Sequence, residues 1–163
     1  MSVSDARTDA PLALPAAVWF RAALAGLAGA VVMAMWAMMA AAVMGRSLFA
    51  PVQLIAAVWY GPAAMHLTAH VLLAGLATHM MVGIVLGMML ALAFAVGRIV
   101  PGPVRLAWGM GFGLAAWLVS QFAVLPALDP LMAQNMAIGV FALGHVMFGV
   151  VTAWMLLRTP GAA

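Results

Sequence analysis

Arginine cuts this chain into oily lengths. Between Arg21 and Arg46 runs "AALAGLAGAVVMAMWAMMAAAVMG" (22–45), without a single charge. A helix needs about 20 apolar residues to cross the hydrocarbon core of a bilayer. The run Ala22–Met44 meets that length, and three more follow: Val71–Val96, Leu106–Leu125 and Met132–Leu157. The second closes at Gly97, Arg98 and "PGP" (101–103), the third at Pro126, and the fourth ahead of Arg158 and Pro160. Each stop is a helix breaker or a charge. The pattern predicts an all-α polytopic membrane protein with four transmembrane helices.

Composition agrees and excludes alternatives. Of 163 residues 69% are hydrophobic, with six basic and three acidic ones. A soluble domain is about a quarter charged and could not cover its surface this way. Six arginines in a nearly chargeless chain raise the isoelectric point without making the basic patch that nucleic acid requires. Cysteine is absent, which removes disulfides, thiolate nucleophiles and cysteine-held metals.

The first run is too long for the 7–15-residue core of a cleaved signal, and its leader carries Asp5 and Asp9. Residues 1–20 are therefore expected to form a disordered cytoplasmic tail before one domain over 21–158. Arg7, Arg21, Arg98, Arg105 and Arg158 fall on one side and Arg46 on the other. The positive-inside rule then puts both termini in the cytoplasm. In the first outer loop "APVQLIAAVWYGP" (50–62) is too short to span. Pro51 opens it, Gly61-Pro62 close it, and Trp59-Tyr60 favour headgroup depth, so it reads as a short interfacial helix. The next helix is expected to start near Ala63 and run into the second span.

The chain also repeats itself. "HMMVG" (79–83) and "HVMFG" (145–149) match at an offset of 66, and "RAALAGLAGA" (21–30) aligns with "RLAWGMGFGL" (105–114), pairing Arg21 with Arg105 and Gly29 with Gly113. Two repeated helical hairpins follow, about 21–97 and 105–158, as parallel repeats about an axis along the membrane normal. Residues four apart share a helix face. Gly75, His79, Gly83 and Gly87 thus form a narrow stripe, as do Gly109 with Gly113, His145 with Gly149, and Gly26 with its alanine neighbours. Small-xxx-small stripes pack helices closely in lipid. His79 and His145 should then face the bundle interior, where an ionisable group is affordable.

The "HMMVG" and "GHVMFG" (144–149) motifs, with a glycine-rich first helix, resemble a family of small bacterial four-helix membrane proteins, often labelled sodium:proline symporters although too short for that fold. The resemblance covers about 20–157 and implies architecture only, the family's activity being unknown. The outer loop here departs from the short Met/Pro-rich loop expected of the family.

Several roles compete for the histidines. The plainest is interhelical hydrogen bonding to Thr78, Ser120, Gln121, Asn135 or Thr152, worth roughly 0.6–2 kcal/mol. A haem b held by His79 and His145 is the alternative, since axial histidine is common. Counted from the helix ends, however, His79 lies about 26 Å and His145 about 18 Å up their helices at 1.5 Å per residue. His66 and His70, at i and i+4, have the spacing for Zn²⁺ or copper, but no carboxylate is near. The 16 methionines suggest copper transport, yet methionine is also a flexible packing residue. Without a base–nucleophile pair, acid–base catalysis lacks its residues. Proton-coupled export lacks a membrane carboxylate, which leaves a His-based proton step as a second alternative. The expected function is a non-enzymatic structural or accessory membrane subunit, self-associating or part of a larger complex, with the lipid bilayer as its other partner and no cofactor.

Overall fold

The computed structural model describes residues 14–97 and 102–157. Arg7, Arg98, Arg158 and most of the predicted tail lie outside the described residues. Helix α1 spans Ala16–Val43, α2 Ala50–Tyr60, and a 3₁₀ turn Gly61–Met65. Helix α3 spans Ala69–Val96 and α4 Pro103–Val119; a π-turn over Ser120–Val124 carries α4 into α5, Leu125–Leu128. Helix α6 spans Pro130–Asn135 and α7 Ile138–Leu157. Among the described residues there is no strand, and four helical stretches have the length and hydropathy to cross a membrane: Ala16–Val43, Ala69–Val96, Pro103–Leu128 and Ile138–Leu157. The chain is an all-α polytopic membrane protein.

Several boundaries depart from the expected ones, each for a local reason. Helix α1 starts at Ala16, inside the stretch assigned to the tail, because Pro15 leads an apolar turn that continues the helix. It ends as sequence suggests. Gly45 takes a positive φ of 72°, and Gly45 and Arg46 donate to the carbonyls of Ala42 and Ala41, a glycine-terminated C-cap.

Helix α2 lies where the outer loop predicts, opened by Pro51 and closed by Gly61 at φ 54°. The following helix does not start near Ala63. Residues 61–65 wind into the 3₁₀ turn, His66 is extended, and Thr68 caps α3 by accepting from the Val71 amide. Gln53 fixes this turn: its buried Nε2 donates to the carbonyls of Ala64 and Met65 at 3.1 and 2.9 Å.

The third span does not stop at Pro126. Proline has no N–H and crowds the carbonyl four residues back. The π-turn, in which the Leu125 amide reaches the Ser120 carbonyl, adds a residue just ahead of it and lets the helix run on to Leu128. The fourth run is broken too. Asp129 caps α6 through the Met132 amide at 3.0 Å, Met136 is extended, and α7 restarts at Ile138. Arg46 Nη1 donates to the Asn135 carbonyl at 2.7 Å, taking up an acceptor that the end of α6 leaves over.

The helices do not close into a symmetric square. Helix α1 packs along α3 on one side and α7 on the other, α7 packs along α4, and α3 and α4 meet sparsely. Where they do meet, Arg105 is buried and lies 5.4 Å above the Phe94 ring. That contact marks the face of the bundle where α1 begins. Helices α2 and α6 pack together across the opposite face.

In lipid no hydrophobic force separates helix from solvent, so association rests on close packing and hydrogen bonds. Glycine supplies the closeness. A Cβ at Gly26 would strike the Gly83 carbonyl and Gly87, and one at Gly109 would strike the Gly149 carbonyl and Ala153. These two seams are copies, with Gly26, Gly83 and Gly87 equivalent to Gly109, Gly149 and Ala153. The spatial offset between α1 and α4 is thus one residue less than the sequence alignment gives. Gly113 matches Ala30, not Gly29. Gly29 faces α7 instead, against Phe148 and Thr152, a seam within the bundle that sequence alignment overlooks. Gly75 abuts Val52 of α2 and does not serve a spanning neighbour.

Candidate functional site

Helix α1 acts as a ruler between the two histidines. His79 Nε2 lies 3.0 Å from the Ala30 carbonyl on one side of it. On the other side Gly144 sits against Met33 and Trp36, and Phe148 against Gly29, which brings His145 to the same level. The depth mismatch counted from helix ends is absent, because those ends do not share a level.

The expected side-chain partners do not serve the imidazoles. Thr78 accepts from Trp59 Nε1 at 2.8 Å, Thr152 donates to the Ala25 carbonyl, and Asn135 donates to Leu131 within its own helix. Each histidine binds backbone instead, His79 the Ala30 carbonyl and His145, through Nδ1, the Phe141 carbonyl at 3.0 Å. The Phe141 ring also stands edge-on to the His145 imidazole, with centroids 4.4 Å apart. Sequence could not foresee these acceptors, since every helical residue offers a carbonyl.

Both rings line one cavity of about 250 Å³. It is walled by α1 and α7, by α3, and by the π-turn with α5, and α2 and α6 border it at one end. The lining is mostly apolar. Its polar members are Trp36, Thr78, His79, Ser120, Asp129 and His145, and neither Arg nor Lys contributes. Exposed Val82 on α3 and exposed Val124 and Leu128 opposite form part of the wall. The cavity therefore opens sideways, through the gap where α3 and α4 part. A concave apolar pocket with a few convergent polar groups is the usual form of a small-molecule site.

Asp129 is 4% exposed, and burial raises its carboxyl above the ordinary carboxylate range, with the Met132 amide opposing. Just beyond the wall, buried Trp117 Nε1 and Gln121 Oε1 have no hydrogen-bond partner. Gln121 is one of the polar partners the sequence offers, whereas the cavity exists only because α3 and α4 separate, which no local pattern shows.

His66 and His70 do not form the proposed helical pair. His66 precedes the Thr68 cap in extended backbone, only His70 is in α3, and both are exposed. Among the described residues no three His, Cys, Asp or Glu side chains gather as a metal set. The methionines divide by position: Met33, Met132 and Met136 pack in the core, while Met35 and Met39 face outward.

These features define an all-α multi-pass membrane protein with an intramembrane cavity. No family model matches the chain, and neither a curated protein nor a solved structure matches it.

Proposed function

We propose that this chain is a non-enzymatic structural or accessory subunit of a bacterial cytoplasmic membrane, with both termini inside. One observation carries the reading: each intramembrane imidazole hydrogen-bonds a helix carbonyl, His79 across the α1–α3 seam and His145 within α7. The His79 ring pins the α1–α3 glycine seam in register, while the His145 ring is tied to its own helix. The orientation is supported by Arg21 and Arg105 at the face where α1 begins and by Arg46 at the opposite one. The likeness to small four-helix bacterial membrane proteins fits the same reading.

Axial ligation of haem through His79 Nε2 would have to replace the bond to Ala30. The test is purification in mild detergent. The proposal expects a colourless, metal-free protein whose His79→Ala variant melts at lower temperature. A Soret band or stoichiometric metal, lost in His79→Ala or His145→Ala, would overturn it.

A further inference from the structure

Packing uses one nitrogen of each imidazole, and both rings line the cavity. A carbonyl oxygen only accepts, so the ring atom 3.0 Å from Ala30 O is an Nε2–H and the one 3.0 Å from Phe141 O is an Nδ1–H. A neutral imidazole carries one ring proton, and a charged one at this depth would be costly. His79 Nδ1 and His145 Nε2 are therefore lone-pair acceptors, without a hydrogen-bond partner among the described residues. His145 is 5% exposed and lines the cavity.

The other polar groups there are mostly committed. Trp36 Nε1 donates to the Val140 carbonyl, Thr78 accepts from Trp59, and Asp129 accepts from the Met132 amide. With no Arg or Lys in the lining, nothing holds an anionic headgroup. Ser120 and Thr78 keep a hydroxyl hydrogen, but against the two imidazole lone pairs a ligand offering only carbonyl or ether oxygens would set acceptors against acceptors. A cavity of about 150 Å³ lined by apolar side chains takes benzene, so about 250 Å³ suits a substituted ring.

We propose that the cavity binds an uncharged apolar ring compound bearing a hydroxyl group, which donates its proton to His145 Nε2 with His79 Nδ1 as a second acceptor. The molecule enters from the bilayer between α3 and the π-turn. This goes beyond the structural role and uses the nitrogens that packing leaves over.

The test is equilibrium dialysis of the full-length protein in detergent against thymol and thymol methyl ether, in which a methyl group replaces the donor hydrogen, with each affinity referred to the probe's own partition into protein-free detergent. Thymol should bind saturably, one per chain, and about 5- to 10-fold more tightly than the ether, the worth of one buried hydrogen bond. His145→Leu should abolish the preference while leaving ether affinity, and His79→Leu should reduce it. Val82→Trp, on the exposed rim, should block both probes while leaving both histidines in the sequence. Equal affinities, no saturable binding, a preference surviving in both histidine variants, or indifference to Val82→Trp would each overturn the proposal. Colour and metal content report separately on the structural reading.

Discussion

His79 on α3 and Ala30 on α1 are joined across the glycine seam by an Nε2–H to carbonyl bond of 3.0 Å. It is a polar contact in a seam whose closest approaches are made by glycine and alanine. Replacing His79 with Leu keeps an apolar side chain and removes the bond. The variant should lose about 0.6–2 kcal/mol, read as a lower midpoint in thermal unfolding in detergent. His145→Leu should lose less, because its bond stays within α7.

Gly149 and Gly111 give opposite outcomes for the same substitution. A Cβ at Gly149 meets the Gly109 carbonyl and the Gly113 amide nitrogen, backbone that cannot give way, whereas Gly111 has open space. Gly149→Ala should destabilise by about 1–3 kcal/mol through overpacking. Gly111→Ala should be neutral or gain up to about 1 kcal/mol, since alanine is the better helix former. Parallel melts of the two variants check this.

The seams, spans and interfacial helix were legible because helical period and span length act locally: Gly83 and Gly87 mark a face wherever the helix lies. The alignment of Gly29 with Gly113 misled by one residue, because small residues are dense enough in α1 for two registers to look alike. The π-turn was hidden since Pro126 reads equally as a stop. The cavity was hidden because it depends on α3 and α4 parting, a relation between helices far apart in sequence that no local pattern records. His66 and His70 failed as a pair when Thr68 took the cap.

Gln53 holds the 3₁₀ turn through two carbonyls while itself 6% exposed. Gln53→Leu leaves both acceptors unmet, at about 1–3 kcal/mol. Hydrogen exchange should quicken first in residues 61–68, ahead of α3.

Asp129 sets a pH dependence with a definite sign. Burial raises its carboxyl above the ordinary 3.8, so the folded chain holds this proton longer than the unfolded one. Stability from this group is fully present below pH 3.8 and is lost as pH rises through the folded value. Asp129→Asn, which retains an N-capping side chain, should flatten that decline and stand closer to its acid stability at pH 7. Melting midpoints across a pH series of both proteins decide it.

Gln121 Oε1 is buried without a partner. An apolar side chain of similar shape removes the unmet acceptor, and such exchanges are near neutral or favourable. Gln121→Met should melt at the same temperature as the parent or higher. A clear loss would show that the amide has a partner in the membrane.

A duplicated hairpin could bind itself through two equivalent seams. Here α1 meets α7 along its length, while the corresponding α3–α4 pair touches near Arg105 and Phe94 and then diverges. That asymmetry gives the bundle a sideways door. Oily solutes dissolve in the bilayer far above their level in water, so whatever passes through that door arrives already concentrated. Modest intrinsic affinity would then be enough to keep the chamber filled.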